Sequence, residues 1–183
     1  WIRLCGRPPA SDPGGRQAHE AGWDAAVVAR RLMSWLSQSP LLLEGADRPF
    51  YRRFVRSIGR QAAWLNRVLN GGLTGEARLA AAIALAELAL CVEGLPRLQR
   101  RAQRGLVAEL EAQILGDGGH IGRNPATIVE TLLDLLPLRQ AYAARGAEAP
   151  PQLLNAIARM LPMLRMLRDG DGALALFNGM GVT

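Results

Sequence analysis

The sequence predicts an all-α fold of antiparallel helical hairpins, and three observations carry that expectation. Leu and Ala dominate the apolar residues, aromatics are only 5%, and β-branched types are few, a balance that favours helix over sheet. Apolar residues recur at three- and four-residue spacing through several long stretches. Gly, Pro and Asn punctuate the intervals, most of which are short enough to join antiparallel neighbours. At 183 residues and 49% hydrophobic content, the chain can bury a real core.

Residues 1–22 are rich in Pro, Gly and charge and read as an irregular leader, followed by a helical domain over 23–181. The first helix is expected over about 24–38, with Val27, Val28, Leu32, Trp35 and Leu36 inward, and Ser39-Pro40 breaks it. Asp47 can cap a second helix to about Leu69, whose stripe is Phe50, Phe54, Ile58, Gln61/Ala62 and Leu65; Asn70-Gly71-Gly72 stops it. Thr74 can cap a third helix of about 75–92 with Leu79, Ile83, Ala86 and Leu90 on one side. Its Ala-rich surface would let a neighbour approach closely.

Gly94-Leu95-Pro96 then punctuates, and a fourth helix of about 96–115 places Leu106, Leu110 and Ile114 together. Asn124-Pro125 reads as an N-cap followed by Pro at the first helical position, opening a fifth helix to about Ala144. A sixth covers about 151–168, with Leu153, Leu154, Ile157, Met160/Leu161 and Leu164 inward and Pro162 as a kink point. A short apolar segment, 173–177, follows. A bundle, an α-solenoid or part of a helical toroid would satisfy this pattern, and no clean repeat of fixed period stands out.

The net charge is +6, and all 22 basic residues are arginine. Such a balance suits an anionic partner. No Lys-rich or aromatic-interleaved patch marks a nucleic-acid site, so nucleic acid is not expected, whereas anionic polysaccharide fits. Arg52, Arg53, Arg56 and Arg60 form a basic wall along the second helix. Cys5 and Cys91 lie far apart and give no disulfide framework or metal spacing; Cys91, ending an apolar run, reads as a buried thiol. No cofactor or metal is expected. No apolar run is long enough to span a membrane. The chain begins with Trp rather than Met, so its true N-terminus is expected upstream, and the compartment stays open between periplasm and cytoplasm. Oligomeric state is likewise open.

The polar interval Gly116-Asp117-Gly118-Gly119-His120-Ile121-Gly122-Arg123-Asn124-Pro125 is the first candidate site. His120 offers an imidazole suited to proton exchange, beside the free N–H groups of a helix start. Arg123 is a bidentate donor for carboxylate or sulfate, and Asn124 a cap and possible ligand group. Asp117, Gly118 and Gly119 set the loop geometry. An echo, Arg168-Asp169-Gly170-Asp171-Gly172, resembles the start of a calcium loop without the remaining ligands. The two loops could meet across a groove. His19, in the leader, has no assigned role. No motif supports a Ser, Cys or zinc hydrolase.

At these residues the chain resembles the helical, N-terminal part of the heparinase II/III-like family. The matching stretches include Trp35-Leu36-Ser37-Gln38-Ser39-Pro40, Gly45-Ala46-Asp47 with Phe50-Tyr51, Glu111 through His120, Arg123-Asn124-Pro125, 132–140 and 170–179. The resemblance implies an incomplete α/α toroid whose following β region is absent from this chain. It implies a lyase-like parent acting by β-elimination on a uronate-containing polysaccharide, with this piece inactive alone. In that family a group neutralises the uronate carboxylate, and a Tyr or His moves the proton. The resemblance makes His120 a catalytic candidate and gives Arg123, Asn124 and Arg78 substrate contacts, with Asp117 and Asp171 supporting the loops. The family's Asn-His pair falls at Glu76-Ala77-Arg78, and its Tyr near Thr127. Tyr142 lies about 22 Å further along the helix. The expected partners are anionic polysaccharide and the parent's β region; the alternative is a non-catalytic module binding anionic glycan.

Overall fold

The helices form where the apolar spacing places them, and their ends are set by caps and loops that the sequence only partly announces. The computed structural model describes residue 8, residues 22–94 and residues 96–179. Among the described residues there are seven helices and no strands: α1 (Ala25–Ser37), α2 (Ser39–Leu43), α3 (Arg48–Asn70), α4 (Gly75–Cys91), α5 (Pro96–Gln113), α6 (Pro125–Ala144) and α7 (Pro151–Met166). The chain divides into two compact units, 1–92 and 93–183. Cys5 and His19 lie outside the described residues.

In the first unit, Asp24 caps α1 by accepting from the N–H groups of Ala26 (3.0 Å) and Val27 (3.3 Å). Ser39-Pro40 does more than break that helix. With Pro in the first turn, where a missing N–H costs nothing, it opens α2. Asp47 caps α3 as expected, accepting from the N–H of Phe50 at 2.6 Å. Thr74 sits at the start of α4, but its hydroxyl makes no cap bond. The turn before α4 is instead tied by Arg78, whose Nη1 donates to the carbonyls of Leu69 (2.7 Å) and Leu73 (3.1 Å).

α4 is the centre of this unit. Leu79, Ile83, Ala86 and Leu90 are buried as expected, yet so are Ala81, Ala82, Ala84, Leu88 and Ala89. A helix apolar on every side must be packed on every side, and both α1 and α3 pack against it. The Ala surface also moves the inward face of α1. Ala25, Val28, Ala29, Leu32 and Met33 are buried, while Val27 is exposed and Trp35 and Leu36 are half-buried. Small residues at 25 and 29 permit a closer approach than the larger side chains of the expected stripe. Phe54, Ile58, Gln61 and Leu65 of α3 are buried as expected.

Several buried polar groups in this unit are hydrogen-bonded across or along its helices, as burial favours. Gln61, fully buried, accepts from Arg31 Nε at 2.7 Å and donates to the Ser57 carbonyl at 3.3 Å. The Arg31 guanidinium lies 5.9 Å from the Trp23 ring, which meets Trp64 edge-on at 5.5 Å. Glu87 accepts from the Ser37 hydroxyl at 3.2 Å. Cys91 is exposed rather than buried, because it ends α4 beyond the packed stretch.

In the second unit, α6 and α7 pack as a hairpin and α5 packs against α7. Leu106, Leu110, Ile114, Ile128, Leu135, Leu153, Ile157 and Met160 supply its core. Leu154 and Leu161 are exposed, on the flank of α7 away from Leu153 and Met160. Two helices stop earlier than their periodicity suggests. α5 ends at Gln113 and α7 at Met166: the N–H groups of Ile114 and Leu167 still bond four residues back, but those of Leu115 and Asp169 turn to the loop carbonyls of Gly119 and Ala173.

One prediction follows from the encasement of α4. Ala84 is fully buried, so Ala84→Leu overpacks the first unit and costs about 1–3 kcal/mol. Urea unfolding should show a lower midpoint for this variant, and an unchanged midpoint would contradict the encasement of α4.

Candidate functional site

The polar interval after α5 is a tight hairpin. The N–H of Leu115 donates to the Gly119 carbonyl (2.9 Å), that of Gly118 to the Leu115 carbonyl (3.0 Å), and that of Ile121 to the Gln113 carbonyl (2.8 Å). Three residues, Gly116, Asp117 and Gly118, form the tip, and Gly118 takes φ +86°. A left-handed residue at the third tip position is what a three-residue hairpin loop uses to turn the chain. Asp117 stabilises the tip by accepting from the Gly119 N–H at 2.9 Å.

Gly118 has a second reason to be glycine. A Cβ built there would lie 2.1 Å from the Arg159 carbonyl oxygen. The loop is therefore seated directly on the backbone of α7. Gly119 leaves room for an ion pair: Arg123 Nη1 and Asp117 Oδ2 are 2.6 Å apart, both about half exposed. The hydrogen bond from Arg123, and then that from the Gly119 N–H, hold the Asp117 carboxyl below its ordinary value of 3.8. Arg123 itself has a left-handed backbone, φ +52°, uncommon for a residue with a side chain.

His120 is buried at 2% exposure, and both its ring nitrogens are engaged. The Gly122 N–H donates to Nδ1 at 3.0 Å, so Nδ1 is an acceptor. Nε2 then carries the hydrogen and donates to Gln113 Oε1 at 3.0 Å. Gln113 Nε2 donates onward to Glu109 Oε2 at 2.9 Å. The ring is thereby held as the neutral Nε2–H tautomer, at the head of a buried relay that ends on a carboxylate. Glu109 and Gln113 were not singled out in the sequence. The available signal was their shared side of α5, one turn apart, with Leu106 and Leu110.

The echo loop repeats the same bonds. Asp169 N–H donates to the Ala173 carbonyl (2.8 Å), Gly172 N–H to the Asp169 carbonyl (2.9 Å) and Ala175 N–H to the Leu167 carbonyl (2.9 Å). Asp171 accepts from the Ala173 N–H at 2.9 Å, and Gly172 takes φ +89°. Asp171 thus matches Asp117, and Gly172 matches Gly118. Leu174 stands where the first loop has His120. The chain contains a structural repeat that its sequence hides, since little beyond Gly-Asp-Gly and a later Asn is shared.

The segment that follows the second loop, rather than the Asp171 loop itself, reaches the first. Asn178 Nδ2 donates to the Arg123 carbonyl at 3.1 Å. Asn124 caps α6 by accepting from the Ala126 N–H at 2.9 Å. Thr127 is buried in the first turn of α6, and Tyr142 is buried near its C-terminal end, where burial pushes the phenol above 10.0. The structure brings Asp117, Gly118, Gly119, His120, Arg123 and Asn124 together, with Asn178 joining them from beyond the Asp171 loop. Arg78 belongs to the other unit, where it anchors the turn between α3 and α4. Among the described residues, no group of three or more His, Cys, Asp or Glu is placed to hold a metal ion.

Two predictions follow. Gly118→Ala meets both a left-handed backbone and the Arg159 carbonyl, so it should destabilise by about 2 kcal/mol or more. Gly172→Ala meets only the movable end of Arg168 at 3.1 Å, and should cost about 1–2 kcal/mol; equal losses on chemical unfolding would contradict the seating. For Asp117, a depressed native value means the ion pair contributes above the ordinary carboxylate value and is lost as pH falls through the lowered one. A carboxyl-carbon NMR titration should place Asp117 below 3.8, and Arg123→Ala should raise it.

No family model matches the chain. It is 44% identical over 161 residues to FtsZ-localized protein C of Caulobacter vibrioides (strain NA1000 / CB15N), covering 86% of this chain and 27% of that protein. The chain therefore spans about a quarter of that relative's length. Its fold is similar to heparan sulfate lyase HepC from Pedobacter heparinus, with TM-score 0.61 and 19% identity over 88% of this chain and 26% of that one. A heparinase III, the BT4657 gene product, gives TM-score 0.61 and 16% identity over 92% and 29%. At such identities the likeness concerns the fold alone. The chain has an all-α, lyase-like fold consistent with part of an α/α toroid, while its curated relative does not support membership of a lyase family.

Proposed function

We propose that this chain is a non-catalytic helical module, of lyase-like fold, within a protein that localises with FtsZ. The observation that carries the reading is its 44% identity over 161 residues to FtsZ-localized protein C. The site geometry supports the non-catalytic part. A general base needs a nitrogen within reach of the substrate proton, and here both nitrogens of buried His120 are spent on Gly122 and Gln113. Arg123 is paired through Nη1 with Asp117, and the family's Tyr falls near Thr127, which cannot serve as the same base. In this reading the lyase-like loop is retained as architecture.

A second reading concerns ligand class. α3 carries Arg48, Arg52, Arg53, Arg56, Arg60 and Arg67 and no acidic residue. Such a face suits an anionic glycan, as a binding function without turnover. The parent as an active polysaccharide lyase ranks below both.

A fluorescent fusion of the full-length protein should form a band with FtsZ at the division site and disperse when FtsZ is depleted; a uniform signal in the presence of FtsZ would overturn the localisation. The same purified protein should release no unsaturated uronate from heparin, chondroitin, hyaluronan or alginate. A rise in its ultraviolet absorbance would restore the lyase reading. Replacing Arg52, Arg53 and Arg56 together should reduce salt-sensitive retention on heparin, and unchanged retention would remove the glycan reading.

A further inference from the structure

A groove in the second unit lies outside the His120 loop and is used by none of the functions considered above. It runs between the outer side of α5 and the start of α7, with a volume of 580 Å³. That is within the range of about 300–1,000 Å³ typical of ligand sites. A smaller polar cavity of 250 Å³ continues it, sharing Glu111, Pro151 and Gln152 and ending at Asn155 and Arg159. The floor is aliphatic, from Val107, Ala108, Pro150 and Pro151. No aromatic ring lines either part.

Charge and hydrogen-bonding groups are distributed unevenly along it. Arg100 and Arg104 stand at the outer end and Arg159 at the inner end. The sole acid of the lining, Glu111, already accepts from Gln152 Nε2 at 3.3 Å. Arg159 Nε is buried with no partner, so no protein acceptor holds that edge of the guanidinium. Arg97, Arg100, Arg101 and Arg104 also crowd the first half of α5, and Arg97 lies in its first turn, where the helix dipole is positive. That arrangement repels itself until an anion arrives. Gln103 and Asn155 carry amides that both donate and accept, as peptide groups do.

We propose that this groove binds an extended acidic peptide segment of a partner protein. Its carboxylates pair with Arg100 and Arg104, its backbone meets the amides of Gln103, Gln152 and Asn155, and small apolar side chains rest on Val107, Ala108 and Pro151. An elongated apolar floor with amide edges fits a peptide better than a sugar chain, whose ring faces would find no aromatic platform here. The inference does not depend on the FtsZ reading, since it concerns only what this surface takes.

The test is fluorescence anisotropy of the chain with a labelled peptide alternating aspartate and valine, and with its asparagine counterpart. The aspartate peptide should bind in a salt-sensitive manner and the asparagine peptide at least about tenfold more weakly. Arg100→Glu with Arg104→Glu should weaken binding by a similar factor. Ala108→Trp, an exposed helical position that keeps the charge and blocks the floor, should do the same, with circular dichroism confirming the fold. Arg52→Glu with Arg53→Glu on α3 should leave the affinity unchanged. Equal loss from the α3 pair would show mere polyanion attraction and overturn the proposal. So would a heparin-derived oligosaccharide that needs Arg100 and Arg104 while the peptide does not bind.

Discussion

Gly118 rests against the main chain of α7 at Arg159, and the arrangement of the second unit follows from that contact. A side chain there would occupy the space of a carbonyl oxygen, so the hairpin approaches α7 only because residue 118 has none. The same residue supplies the left-handed turn that lets Leu115 and Gly119 pair. With the tip fixed, Ile121 pairs back to Gln113, His120 enters the interior beside Gln113, and Asn124 is delivered to cap α6. The loop thus sets where α5 ends and where α6 begins. Position 172 repeats the turn without the close seat, and Leu174 there makes no relay.

That repetition separates architecture from specialisation. Two copies of one hairpin, differing at His120 and Leu174, indicate that the Asp-Gly turn is a way to end a helix and re-enter the core. What is particular to the first copy is the polar chain from Gly122 through His120 and Gln113 to Glu109. Buried polar chains of this kind fix a conformation when every member is satisfied. An imidazole used in this way is withdrawn from solvent chemistry. The lyase-like fold and the relative that localises with FtsZ are reconciled if the fold has kept its turn and put its histidine to structural use.

The fold was legible in the sequence wherever one local interaction decides. Asp47 and Asn124 announce helix starts because a short oxygen-bearing side chain meets an N–H two or three residues on. Thr74 looked equivalent, but Arg78 ties the turn through two carbonyls, one of them nine residues earlier, and no local pattern signals such a bond. The inward face of α1 shifted because Ala25 and Ala29 match the Ala surface of α4, a tertiary choice that periodicity alone does not make. The candidate loop was visible from its glycines and single histidine. Its partners were not: Gln113 and Glu109 lie among the core positions of α5, and Asn178 arrives from a distant segment.

The most direct test of a histidine retained for structure is the state of its ring. Nitrogen-15 NMR of His120 should show a neutral imidazole with the hydrogen on Nε2 and a bare, hydrogen-bonded Nδ1, and the signal should be lost or rearranged in Gln113→Leu. A ring protonated on Nδ1, or one that exchanges freely with solvent and ignores the loss of Gln113, would contradict the account and return His120 to the list of catalytic groups.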